Sequence, residues 1–493
     1  MVETNSPSIE QFTVSTGVPV SEALLRMNEN LHGIVFVVKG EILLGVATDG
    51  DIRRGFLAGK SVGDPIDQFM NRSPTVLPAD VDAQTAYRAV SAGKSTGRRV
   101  LPRIDHLGRL VGYTSVSNSG AVPMASPVFG DEEVENLLAC IESGWISSGG
   151  AFVEIFERNF GDFVGLSNGL AVSSGTSALE LALLTLGIGP GDEVIVPDIT
   201  FGATANSIIA VGAQPVFCEV DANSLGMSRE SVAARITSRT RAVIAVHLYG
   251  EPCDVVGISE LCSEFELLLI EDCAEAIGTR LHSGDHVGSQ GRAATFSFFA
   301  NKTITTGEGG MVFFAHSDEA ERARLIKSHG MSPERRYWHE VPGRNYRMTN
   351  LQAAIGVAQC VRLPFLVEEK QRLADAYRNQ LAACPGLTLV PPSSIGASSY
   401  WVFPVLLDSK LASSRALIRE ALALKGIETR DFFAPLSRMP AFAVNSQPFH
   451  PVAEELANRG LCLPCLPTMS REDVAFVARN LEETVTNQLR DSV

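Results

Sequence analysis

The chain reads as an α/β protein that ends in a smaller α+β portion and begins with a module of different grain. Three observations predict this. From about Val128 onward, short apolar strands alternate with amphipathic helical stretches. Each strand runs into a polar or glycine-bearing loop, the place where ligands gather in such sheets. The 493 residues exceed what one core organises and imply about two or three domains.

Taken in order, the first part carries a weak internal repeat. Ile34–Val38 and Ile42–Ala47 predict two strands around the turn Lys39-Gly40-Glu41, and Thr48-Asp49-Gly50-Asp51 opens a helix from Ile52. Val100–Ile104, the turn His106-Leu107-Gly108 and Leu110–Thr114 repeat the order, setting Gly45 against Gly112, Thr48 against Ser115 and Asp51 against Asn118. The Ser/Gly/Pro-containing run Ser115–Pro127 reads as a linker. Strands are then expected at Leu170–Ser173, Glu193–Pro197, Pro215–Val220, Ala242–His247, Leu267–Ile270 and Ala294–Phe299. Helices follow around Gln371–Leu381 and Ala416–Lys425. The expected organisation is a first module over 1–122, a linker over 123–127, a large α/β domain over 128–364 and a small domain over 365–493.

Composition excludes several classes. A net charge of −15 disfavours nucleic acid as a partner, while leaving room for a local basic pocket for phosphates. The start MVETNSPSIEQFTV lacks a basic segment followed by an apolar run, so no signal peptide is expected. No apolar stretch approaches the about 18 residues that span a bilayer. Nine scattered cysteines argue against a disulfide framework. Cys462 and Cys465 form one CxxC without the second pair or nearby histidine that zinc needs, so no metal is expected. The expectation is a cytoplasmic protein without a membrane partner.

The chemistry concentrates in FSFFANKTITTGEGG, Phe296–Gly310. Lys302 lies there after an apolar strand and before a glycine-rich turn. Taking a lysine amine out of water favours its neutral form, a nucleophile toward aldehydes. Pyridoxal phosphate is the aldehyde cofactor that a lysine holds, with an acidic partner for its ring nitrogen. Asp272 ends the apolar run LLLIED, and a carboxylate so placed must be paired or hydrogen-bonded. Ser174-Gly175-Thr176 opens a helix whose N-terminus suits a phosphate, although Ser and Thr are also plain helix caps.

These segments, with EDCAEAIG and YWHEVPGRNYRMTNLQAAIG, resemble the DegT/StrS-type nucleotide-sugar aminotransferases over roughly Pro127–Pro467, closest to the perosamine-synthase-like branch. The resemblance implies an aspartate-aminotransferase-like (type I) fold and pyridoxal 5'-phosphate as cofactor. It makes Lys302 and Asp272 the catalytic pair, gives the cofactor phosphate to Gly175, Thr176 and Ser297, covers one ring face with Phe201, and sets Glu275 near the cofactor. Asn345 matches an asparagine that reaches the phosphate from a neighbouring subunit, which implies a homodimer or higher homo-oligomer. His247 and Gly250 also match, the histidine either on the substrate side or packing the strand end. Arg430 lies on the substrate side, near GIETRDFFAPLSRM, where Ser437 departs from the family's usual histidine.

The implied reaction moves an amino group from an amino acid, usually L-glutamate, to a nucleotide-linked 4-keto-6-deoxy sugar, for amino-sugar and surface-polysaccharide biosynthesis of the O-antigen kind. Alternatives are a 3-keto sugar, a sugar dehydration of the kind run by members with histidine in place of the lysine, and a non-enzymatic nucleotide sensor. The first module resembles a tandem pair of CBS domains, which bind adenine nucleotides or related ligands. That implies a regulatory nucleotide at Thr48 and Asp51, with Arg53 and Arg54 beside it. The alternative is that TDGD only caps its helix.

Overall fold

A computed structural model describes residues 9–30, 33–79, 99–116, 122–442 and 448–491; Asn118 and residues 117–121 of the expected linker lie outside them. The chain divides into two compact units, Met1–Val122 with Lys425–Ile427, and Pro123–Leu424 with Glu428–Val493.

The first unit holds two three-stranded sheets of one plan. Thr13–Ser15 runs parallel to Ile34–Lys39, which pairs antiparallel with Ile42–Thr48. Leu77–Pro78 likewise runs parallel to Arg99–Ile104, which pairs antiparallel with Leu110–Val116. Gly40 and Gly108 turn the two hairpins at φ +62° and +75°, in the left-handed region that only glycine enters without strain. Phe12, Phe36, Val46, Val100 and Tyr113 form a shared buried cluster. The helix after the first hairpin spans Asp49–Leu57 and so starts earlier than Ile52. The Thr48 hydroxyl accepts from the Asp51 N–H, and the Asp51 carboxylate accepts from the Thr48 N–H, a reciprocal cap that fixes the start.

The second unit is built on a seven-stranded sheet in the order Gly169–Val172, Gly310–Phe314, Ala293–Ser297, Leu268–Asp272, Thr240–Val246, Glu193–Pro197 and Gln214–Cys218. Neighbours are parallel except around Gly310–Phe314, which is antiparallel to both of its partners. Near-continuous apolar strands follow from burial on both faces, and two hydrophobic clusters sandwich the sheet. Asp272 and Ser297 stand at the ends of adjacent strands, and Ser174 follows the end of Gly169–Val172. Three polar groups thus reach one edge of the sheet.

One helix, Asn350–Leu381, runs for 32 residues straight through Pro364. It replaces both the boundary expected at Pro364 and a helix starting near Gln371. Proline removes one helical hydrogen bond, but Leu363, Leu366, Val367, Leu373 and Tyr377 bury a continuous face on either side of it. By length and composition this helix could also cross a membrane, yet 56% of its most apolar window is buried inside the protein. Charged residues such as Arg362, Glu368 and Lys370 interrupt the apolar run and hid it from the sequence reading. Beyond it, Leu387–Leu389, Phe403–Leu407, Gly460–Leu463 and Arg430–Asp431 form an antiparallel sheet in that order. Buried Lys370 donates to the carbonyls of Trp401 and Cys465, which fastens the long helix to this sheet. All nine cysteines are free and buried.

Candidate active site

At that sheet edge lies a cavity of about 320 Å³, lined among others by Gly175, Thr176, Phe201, Asp272, Glu275, Ser297, Lys302 and Arg430. Its floor is the end of Leu268–Asp272. Asp272 is 5% exposed; its carboxylate accepts from the Thr204 hydroxyl at 2.9 Å and the Ala274 N–H at 3.2 Å. Burial pushes this carboxyl up from its ordinary range, and the two donors and the Lys302 charge pull it back. Such a group at a cavity wall suits a cationic N–H.

Lys302 hangs from the turn between Ala293–Ser297 and Gly310–Phe314. Its Nζ donates to Glu275 Oε1 at 3.3 Å and lies 4.1 Å from the centre of the Trp401 ring. The indole N–H is held by the Asn301 carbonyl at 2.7 Å. Opposite, Ser174 caps the helix Gly175–Thr185, its hydroxyl accepting from the Ser177 N–H. The first N–H groups of that helix have no intrahelical acceptor and, with the dipole, suit an anion. A Cβ on Gly175 would stand 2.8 Å from Ser297 Cβ, so the cradle closes only around glycine. An anion cradle, an amine and a buried carboxylate share one cavity, with the aromatic Phe201 at its rim, 62% exposed. This donor set fits pyridoxal phosphate. The Arg430 guanidinium has no hydrogen-bond or ion-pair partner among the described residues.

His247 is not part of this cavity, which corrects its placement on the substrate side. It is fully buried. Its Nδ1 accepts from the Cys253 N–H, so Nε2 carries the proton and donates to Glu271 Oε2 at 3.0 Å. Glu271 also takes the N–H groups of Gly288, Gln290 and Gly291. His247, Glu271 and Cys273 stand close enough to share a metal ion, but their ring nitrogens and carboxylate oxygens are already engaged. The histidine packs the strand end.

Asn345 is exposed, away from this chain's cavity, and accepts from Arg347 at 3.0 Å. Thr48 and Asp51 are occupied in the helix cap, where Asp51 also meets Arg54 at 2.6 Å. Ser437 donates to Asp198, and His450 shares the same carboxylate at 2.8 Å, so an imidazole reaches this spot from elsewhere in the chain. Sequence reasoning missed Thr204, Trp401, Phe433 and Glu308, which also line the cavity. Thr204 stands just past the Phe201 loop and was within reach of the reading; Trp401 comes from a distant segment without a local signal.

The sequence pattern of the DegT/DnrJ/EryC1/StrS aminotransferase family matches residues 127–482, and that of the CBS domain matches residues 7–58. A GDP-perosamine synthase of Vibrio cholerae is 41% identical over 354 residues, covering 72% of this chain and 96% of the relative. The crystal structure of an aminotransferase, TlmJ, from Streptoalloteichus hindustanus superposes with a TM-score of 0.71 at 34% identity, covering 75% of this chain and 100% of the other. The PLP-form of a sugar aminotransferase, Spr1654, from Streptococcus pneumoniae gives 0.71 at 25% identity, covering 74% and 99%.

Fold and cavity define a pyridoxal-phosphate-dependent aminotransferase of type I architecture. The chain belongs to the DegT/DnrJ/EryC1/StrS aminotransferase family and carries a CBS domain near its start.

Proposed function

We propose that this enzyme aminates the 4-keto group of a nucleotide-linked 6-deoxy sugar with nitrogen from L-glutamate, in the cytoplasm, for surface polysaccharide of the O-antigen kind. The observation that carries the reading is Lys302 held beside Glu275 in the cavity that also contains Asp272 and the Gly175–Thr185 helix start. The identity to a GDP-perosamine synthase supports a GDP-linked 4-keto sugar.

When bound, pyridoxal phosphate supplies a carbonyl that takes up the amine and a ring that withdraws electrons from the reacting carbon. Gly175 and Thr176 N–H groups and the Ser297 hydroxyl bind its phosphate. Asp272 holds a proton on the ring nitrogen, and Phe201 covers one ring face. Lys302 moves a proton at the reacting carbon, since an amine there alternates between acid and base. Arg430, which lines the cavity and has no partner among the described residues, meets the anionic groups of the substrates.

The enzyme works as a homodimer in which Asn345 completes the partner's site. Exposed Val134, Leu138 and Ile141 along one helix, with exposed Trp145 just beyond its end, support a covered apolar face. A second hairpin copy makes the amino-terminal unit a CBS pair that adjusts activity when a nucleotide binds at Thr48 and Asp51. Calorimetry of the full chain with adenine and guanine nucleotides tests that role; absence of heat with all of them leaves the unit as scaffold.

The decisive assay offers the holoenzyme glutamate with a panel of nucleotide-linked 4-keto and 3-keto sugars and reads products by mass spectrometry. Amino sugar from the 4-keto substrates is expected. Product only from 3-keto sugars, or none with any, overturns the reading.

A further inference from the structure

We propose that Glu275 is the positioning residue of Lys302: its carboxylate holds the ammonium at the cavity wall and so sets how readily the free amine forms. The proposal rests on the reading of Lys302 as the cofactor lysine. Both side chains are nearly sealed, 11% and 7% exposed, with 3.3 Å between Nζ and Oε1. In so dry a setting a single charge contact outweighs what the same pair would give in water.

The carboxylate is itself aimed. Its other oxygen accepts from the Tyr249 N–H at 3.1 Å. That N–H points inward because Tyr249 sits at φ 58°, ψ 12°, a left-handed conformation that a bulky residue adopts only when its surroundings impose it. Here they do. The Tyr249 ring is buried, its hydroxyl accepts from the Phe433 N–H at 2.9 Å, and the Gly250 carbonyl beyond it takes the hydroxyls of Thr279 and Ser398. Across the amine stands the Trp401 ring, pinned by its own N–H. Lys302 is therefore clamped between a fixed carboxylate and a fixed indole face, a position that suits a cation.

Other charges face the pair. Buried Asp272 attracts the same ammonium, Arg430 and Glu308 line the cavity, and the Cys462 thiol lies near Glu275. Burial pushes the Glu275 carboxyl up from its ordinary range, and the Lys302 charge draws it part of the way back. Asp272 is already engaged by Thr204 and Ala274, which leaves Glu275 as the carboxylate that fixes the position of Nζ.

The test measures cofactor capture by apoprotein. Pyridoxal phosphate is added across a pH series, the visible absorbance is followed, and borohydride trapping with peptide mapping locates the modified lysine. In Glu275→Gln the capture profile should move toward acid by about one pH unit, since one negative charge beside the amine is gone. Glu275→Asp, which keeps the charge, should stay near the wild-type profile. A Glu275→Gln protein that melts like wild type and keeps its midpoint overturns the proposal. So does a Glu275→Asp protein that shifts as far as Glu275→Gln, which also decides the matter if Glu275→Gln fails to fold. Capture at a lysine other than Lys302 in the wild type would instead defeat the reading of the site itself.

Discussion

Glu271 and Asp272 are chain neighbours, and strand alternation sends their side chains to opposite faces of the sheet. Glu271 is saturated by three backbone N–H groups and an imidazole, whereas Asp272 has two donors and opens onto the cavity. Asp272→Asn keeps the shape and loses the charge, so the variant should still bind pyridoxal phosphate while its turnover falls roughly 10²–10³-fold. Absorbance titration and steady-state rates check the two halves; near-normal turnover would remove Asp272 from its role. A third carboxylate, Glu251, is buried with one oxygen lacking any partner among the described residues. Burial lifts its carboxyl to about 7, with Ser398 and Arg378 pulling the other way. The folded value lies above the unfolded one, so this group's contribution is fully present below about pH 4.5 and is lost as pH rises through about 7. Glu251→Gln should melt like wild type near pH 4.5 and gain on the order of 3 kcal/mol at pH 8; equal melting of the two proteins at pH 8 would contradict it. Lys302 and Asp272 were legible because each follows an apolar run that only burial explains. Trp401 was not, because an indole from a distant segment becomes a site residue only through the fold that carries it there.

Among the elements, the helix Gly175–Thr185 depends on the absence of one methyl group. Gly175→Ala would drive its Cβ to 2.8 Å from Ser297 Cβ and push the helix start away from the strand end. Apoprotein carrying Gly175→Ala should bind pyridoxal phosphate at least about tenfold more weakly, a loss of roughly 1.4 kcal/mol, while pyridoxal without its phosphate should lose far less. Equal losses for the two would place the damage elsewhere. Strands that end in polar loops were readable from alternation of apolar runs and breakers, and Glu193–Pro197 falls where expected. Gly310–Phe314 was not expected: its glycines read as a turn, and its identity as a strand comes from antiparallel pairing with Ala293–Ser297 and Gly169–Val172. A Cβ on Gly310 would lie 2.4 Å from the Ser174 carbonyl oxygen, so that glycine serves close packing within a strand. Pro364 misled in the opposite sense, since a breaker was read where burial on both sides holds the helix together.

At the scale of the whole molecule, a shared site has a countable consequence. Lys302→Ala and Asn345→Ala chains should each be strongly impaired alone, and mixing them should restore activity. Half of random dimers are mixed and each carries one intact site, so about a quarter of wild-type activity is expected. Recovery measured after co-expression checks this; none, or a fully active monomer in sedimentation, would sink the shared site. The chain divides into two compact units near the place where the sequence changes grain, but the segment Lys425–Ile427, which clusters with the amino-terminal unit, has no signature that could have announced it. The nine buried thiols have a further use. Burial also lifts Cys218, Cys262, Cys273 and Cys360 to about 12, so these four offer an alkylating reagent almost no thiolate, and all nine offer it little access. Labelling must wait for a local opening. Six of these thiols lie between Cys140 and Cys360, and three, Cys384, Cys462 and Cys465, lie around the smaller sheet. The order in which they are alkylated is thus a clock for breathing: it ranks, without any engineered probe, which parts of the fold come apart first.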